Sequence, residues 1–222
     1  FEEETNLKCH LILDKSSSMN FGSKGMTKFE YSKSLSAAFA YLMIKQQDAI
    51  GLTTFDSKIN ISIPPKSKKS HLNLLLKTLH NADPGGETNT SILLHALAES
   101  ISKRGLVILI SDLLDNQEEI IKALRHFKYK GHEVLIFHII DPKEKDLSYT
   151  QNIKFTDLES GENIITDARL IRKQYNKAFD NFCEYYANGC AKNKVDYVQI
   201  STEDSLDKSL MQYLIKRSQI RK

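Results

Sequence analysis

A set of short apolar runs separated by helix-length segments restricts this chain to α/β architectures. CHLIL (Cys9 to Leu13), LVILI (Leu106 to Ile110) and EVLIFHI (Glu133 to Ile139) each hold four or more apolar residues, as strands buried in the middle of a sheet do. AIGLTTF (Ala49 to Phe55) and INISI (Ile59 to Ile63) are joined by a short DSK turn. They read as an antiparallel hairpin whose second strand stops at Pro64-Pro65, which confines it to an edge. VDYVQI (Val195 to Ile200) reads as the last of six strands.

Between the strands lie helix-length amphipathic segments: Thr27 to Gln47, HLNLLLKTLH, Ser91 to Arg104, Gln117 to Lys130, Arg169 to Lys192 and a closing Ser205 to Lys216. IKFTDLESGENIIT reads as a small extra hairpin turning at Ser160-Gly161, and the DPKEKD stretch as polar connection. Parallel strands need crossover connections, so the alternation predicts a doubly wound, Rossmann-like α/β fold. Its sheet is mostly parallel and six-stranded, with one antiparallel edge strand and helices on both faces. At 222 residues the chain suits a single domain over 1–222.

Composition excludes several function classes. The 31 basic and 28 acidic residues are interspersed, so no basic stripe argues for nucleic acid. No apolar run approaches a membrane span of about 18 residues. Cys9, Cys183 and Cys190 are odd in number and lack metal-type spacing, which suits a reducing compartment, and the expectation is a cytoplasmic protein. The chain opens at FEEETNL without Met or a signal segment, so it is expected to be the C-terminal part of a longer protein. The seven histidines show no HxxxH or paired spacing, and Phe179, Phe182, Tyr185 and Tyr186 lie at helical spacing that predicts packing.

In an open α/β sheet, ligands collect beyond the carboxyl ends of the strands. Three polar loops should meet there: DKSSS after the first strand, GGETNT before a helix, and SDLLD after LVILI. Asp14 and Asp112 are expected at equivalent strand ends and supply carboxylates, while Ser16, Ser18 and Thr88 supply neutral oxygens. Hard divalent cations take such ligands: Mg²⁺ needs near-octahedral oxygen donors and is often held by one or two carboxylates. In DKSSS, alternate residues Asp14, Ser16 and Ser18 point inward. Glu87 and Asp115 lie in the same loops and are expected in a solvated or supporting role around the ligands.

These residues carry a resemblance. Asp14-x-Ser16-x-Ser18 with Thr88 and Asp112 resembles the metal-ion-dependent adhesion site of von Willebrand factor type A domains, and all five ligand positions match. QQDAIGLTTFD, PGGETNT, GLVILISDLLD, GHEVLIFHIIDP and FTDLESGE resemble the recurring segments of one bacterial branch, the domain-of-unknown-function fifty-eight family. One departure from the adhesion domains is Leu113, where many of them carry Gly. The resemblance implies a metal-dependent protein-interaction module, not an enzyme, holding Mg²⁺ (or Mn²⁺ or Ca²⁺). A partner's Asp or Glu would complete the coordination. Members of the branch commonly stand beside MoxR-type AAA+ ATPases, which makes such an ATPase the expected partner.

Enzymatic readings fare worse. Neither GxSxG nor GxxxxGK[ST] is present. The alternative is a Mg²⁺-dependent phosphohydrolase of the haloacid-dehalogenase type, which also uses a strand-end Asp. It wants a second acid where this chain has Ser16.

Overall fold

The structure, a computed structural model, describes residues 7–86, 89–149, 152–158, 161–211 and 214. Strands β1 (Lys8–Asp14), β2 (Ala49–Phe55), β3 (Ile59–Lys66), β4 (Leu106–Ser111), β5 (Glu133–Ile140) and β8 (Asp196–Ser201) form one six-stranded sheet in the order β3-β2-β1-β4-β5-β8. Only β3, at the edge, runs antiparallel to its neighbour. The expected sheet is the observed one. β6 (Asn152–Thr156) and β7 (Asn163–Asp167) form the separate antiparallel hairpin; Ser160 of its expected turn lies outside the described residues.

Side chains alternate across the central strands, and each face has its own core. Cys9, Leu11, Leu13, Ile108 and Ile110 pack with Leu35, Phe39 and Met43 of α1 (Lys28–Lys45) and with Leu75 and Leu79 of α2 (Lys69–His80). Ile12, Val107 and Leu109 pack on the opposite face. Their partners are Leu94 of α3 (Thr90–Ser100), Leu124 and Phe127 of α4 (Gln117–Tyr129), and Tyr186 of α6 (Ala168–Lys192). Runs without polar interruption are explained by burial on both faces.

α1 starts where TKFE supplies a capping box: the Thr27 hydroxyl accepts from the Glu30 amide while the Glu30 carboxylate accepts from the Thr27 amide. DPKEKD is more ordered than its polarity implied. Asp141 caps a short helical turn, α5 (Pro142–Lys145), and that turn matters for the site. Of the expected closing helix, residues 206–211 are helical; positions 212, 213, 215 and 216 lie outside the described residues. No described helix is long and apolar enough to cross a membrane.

Strand order places the site. From β1 the chain moves outward to β2 and β3, then crosses back to β4 on the other side of β1. Adjacent connections therefore leave in opposite directions between β1 and β4, opening a crevice at their carboxyl ends. Asp14 ends β1, and Asp112 follows the last residue of β4.

Candidate metal centre

The two acids are not equivalent, contrary to the expectation from their flanking sequences. The register pairs Leu13 with Ile110, which sets Asp14 beside Ser111, and β4 ends at Ser111, so Asp112 is the first residue of the loop. Sequence pattern marks the end of an apolar run but not its register against a neighbour, which hydrogen bonding decides. Ser111 fills the equivalent place: its hydroxyl donates to Asp14 Oδ2 at 2.6 Å and accepts from the Leu113 amide at 2.9 Å.

Asp14, Ser16 and Asp112 are buried, and Ser18 is half-buried. The Ser16 amide donates to Asp14 Oδ1 at 2.9 Å, which folds DKSSS over the strand end. Residues Ser17–Asn20 then form a single 3-10 turn. The Ser16 and Ser18 hydroxyls stand 3.1 Å apart, so the expected alternation brings both to one place. Backbone bonds from the Gly85 amide to Lys15 O (2.8 Å) and from the Ser17 amide to Gly86 O (3.0 Å) lay the GGETNT loop along DKSSS. Gly86 has φ +90°, and an added Cβ would come within 3.1 Å of Asp56 Cγ, so glycine is required there. Thr88 and Glu87 lie outside the described residues.

Leu113 adopts φ +58°, the left-handed region where glycine is usual. Leu113 takes this conformation without being glycine, and its fully buried side chain joins the second core. The Tyr186 hydroxyl donates to Leu113 O at 3.0 Å and holds the turn from α6. Tyr186 and Phe182 pack edge to face with centroids 5.2 Å apart, as the helical spacing predicted, whereas Tyr185 is 42% exposed. Asp115 turns away: its carboxylate accepts from the Ser91 amide at 3.0 Å and the Asn116 amide at 2.6 Å, tying the loop to the start of α3.

Sequence reading missed two residues. Lys28 is fully buried, and its Nζ donates to Asp112 Oδ2 at 2.8 Å and Glu144 Oε1 at 2.5 Å. In TKFEYSK it resembles any solvated lysine at a helix start, and Glu144 sits in the stretch read as polar connection. The signal available was weak: DPKE carries the Asp-x-x-Glu spacing of a capping box.

Charge explains why these groups cluster. Burial first, then the nearby Asp112 charge, pushes Asp14 up to about 7 despite hydrogen bonds from Ser111 and Ser16. Burial also works against ionised Asp112, but the Lys28 ammonium overrides it and holds that carboxyl below its usual range. Burial disfavours the charged form of Lys28 as well, yet Asp112 and Glu144 raise its pKa above the ordinary lysine value. His138, opposite Ser111 in the β4–β5 register, is held down to about 4 chiefly by burial and stays neutral against the Tyr197 hydroxyl.

Lys28 offsets one of the negative charges of Asp112 and Glu144, and Asp14 adds a further negative charge only as it ionises near pH 7. The neutral donors beside them are serine hydroxyls. That donor set fits Mg²⁺ and not a soft metal. Among the described residues no three His, Cys, Asp or Glu side chains gather at one point. His95 and His126 do meet across α3 and α4, with Nδ1 atoms 3.4 Å apart, which their sequence positions did not reveal.

Residues 1–182 match the family model described as "Protein of unknown function DUF58". An uncharacterized protein of Mycobacterium tuberculosis H37Rv is 24% identical over 161 residues, covering 71% of this chain and 50% of that protein. The chain spans about half the length of the curated relatives it matches. Among solved structures, the conserved hypothetical protein BatB from Bacteroides thetaiotaomicron superposes with a TM-score of 0.63 at 16% identity, covering 96% of this chain and 99% of that one. An aerotolerance-related membrane protein from Bacteroides fragilis gives 0.62 at 17% identity, over 91% and 94%. The SpRpn10 VWA domain gives 0.51 at 14%, over 92% and 93%. These likenesses establish a von Willebrand factor A-like fold.

Proposed function

Because the chain belongs to the DUF58 family of unknown function and has a von Willebrand factor A-like fold, we propose that it is a divalent-metal-dependent protein-docking module. The observation that carries this reading is the meeting of Asp14, Ser16, Ser18 and Asp112 at the β1–β4 switch point. Ser16 and Ser18 would hold Mg²⁺ directly, and Thr88 would join them from the GGETNT loop. Asp14 and Asp112 would act directly or through water. When bound, the metal supplies an electron-poor Lewis-acid centre that takes an oxygen ligand from outside the chain.

The protein's own groups set how that centre behaves. Ser111 and the Ser16 amide orient Asp14, and Lys28 engages one oxygen of Asp112, so part of the carboxylate charge is already spent inside the protein. Few anionic oxygens then face the metal, and an Asp or Glu from a partner becomes the strongest available ligand. Such docking needs no general base or nucleophile, so the module is not an enzyme on this reading. A MoxR-type AAA+ ATPase is the partner we propose.

Size-exclusion chromatography of the chain mixed with a MoxR-type ATPase from the same organism tests the reading. A co-eluting complex is expected for the native chain and none for Asp14→Ala or Ser16→Ala with Mg²⁺ held constant. A complex that survives both substitutions would overturn metal-dependent docking to that ATPase.

A further inference from the structure

His95 of α3 and His126 of α4 stand 31 positions apart in the chain, and they meet on the helices that cover the second core rather than on the strand-end loops. Their Nδ1 atoms face each other at 3.4 Å, with ring centroids 5.6 Å apart. That separation is long for a hydrogen bond, since well-formed bonds from N–H donors lie at about 2.7–3.2 Å. It matches the edge of a zinc tetrahedron: Zn–N bonds of about 2.0–2.1 Å set two ligand nitrogens about 3.3–3.4 Å apart.

The far nitrogen of His126 is already engaged. Its Nε2 lies 2.8 Å from Glu99 Oε1, and Lys130 Nζ holds the other oxygen of that carboxylate at 2.7 Å. A neutral imidazole that donates from Nε2 carries its lone pair on Nδ1, the atom turned toward His95. Carboxylates fix the tautomer of metal-binding histidines in the same way. Both rings are half-buried and border an open hollow of about 500 Å³, which gives an ion its entry path. Lys122 is paired with Glu118 and Glu119, Lys130 is paired with Glu99, and Arg125 is exposed to solvent. An arriving cation therefore meets little uncompensated positive charge.

We infer that His95 and His126 form a transition-metal site, selective for Zn²⁺ over Mg²⁺, in which the two Nδ1 atoms bind the ion and Glu99 orients His126 from behind. Ligand chemistry separates it from the strand-end centre, because imidazole suits Zn²⁺ whereas Mg²⁺ takes oxygen donors. Small rotations of the two rings converge their lone pairs on one ion. Among the described residues no third His, Cys, Asp or Glu joins them at one point, so two tetrahedral positions stay open to water or to a ligand from the hollow. The bound ion ties α3 to α4. This site is independent of metal-dependent docking at the strand ends.

Calorimetric titration of Zn²⁺ in saturating Mg²⁺, on the native protein and on His95→Gln, His126→Gln and Glu99→Gln, tests this. The native protein should bind one Zn²⁺ that Mg²⁺ does not displace. Each histidine variant should bind it ~10-fold or more weakly and Glu99→Gln ~10-fold more weakly, with Mg²⁺ binding the same in all four proteins. Co²⁺ in place of Zn²⁺ should give the native protein alone the visible absorption of a tetrahedral centre. All three side chains reach solvent, so the substitutions leave the fold in place, as circular dichroism would verify. Zn²⁺ binding unchanged by either histidine substitution would put the ion elsewhere and overturn the site. Absence of Zn²⁺ binding to the native protein would overturn it too, leaving a plain contact between two rings. Full affinity in Glu99→Gln overturns the orienting role of that carboxylate.

Discussion

Replacing Lys28 by Met is expected to lower the stability of the metal-free protein by about 3–5 kcal/mol, the usual cost of removing one partner from a buried ion pair. Lys28 is fully buried with Asp112 3% exposed, so water cannot substitute for the lost ammonium. Glu144 is 20% exposed and can turn toward solvent, which places the expected loss nearer the lower end of that range. Methionine keeps most of the stem volume, so the effect reports charge more than packing. The same substitution removes the cation that occupies Asp112 Oδ2. Saturating Mg²⁺ should therefore recover most of the loss, and the variant should bind Mg²⁺ at least ~10-fold more tightly, because one positive charge near the site is gone. Urea denaturation with and without Mg²⁺ measures both. A loss of equal size in the two conditions would mean that Lys28 and the metal do not share Asp112.

The second large effect is a pH dependence that runs against the common pattern for carboxylates. Asp14 is raised from 3.8 to about 7, mainly by burial and then by Asp112. A raised acid binds its proton more tightly in the folded than in the unfolded chain, so its contribution to stability is full below about pH 4. That contribution is lost as pH rises through about 7. A rise of this size corresponds to about 4 kcal/mol across the window. His138 and His10, both held down to about 4, act in the opposite sense between their folded and unfolded values and partly mask the slope. The difference between native protein and Asp14→Asn isolates the Asp14 term. Asn can accept from the Ser16 amide through its carbonyl and donate to the Ser111 hydroxyl, so the fold is retained. In metal-free buffer the difference should favour the native chain at pH 4 and disappear or reverse by pH 8. A pH-independent difference would contradict the burial of a charged pair at this site.

Much of this was legible in the sequence, and the rest was hidden for identifiable reasons. Apolar runs without alternation gave buried strands, and Pro64-Pro65 gave the edge, because burial on both faces and the missing proline amide act locally. The spacing of Asp14, Ser16 and Ser18 also carries its own geometry: a turn that pins Ser16 to Asp14 brings alternate hydroxyls together. Asp112 was found as an acid after a buried strand, but its one-residue offset from Asp14 depends on inter-strand register. Lys28 and Glu144 were missed because each lies in a polar-looking segment, and only tertiary packing turns them onto Asp112. The hairpin was readable as a hairpin, while the pocket that its Phe155 and Ile164 line together with Ser18 was not.

Calorimetric titration of Mg²⁺ into the native chain and into Asp14→Ala at about pH 8 tests the metal centre most directly. The site described here predicts one saturable Mg²⁺ site in the native chain and no detectable binding to the variant. Equal binding by both would contradict it.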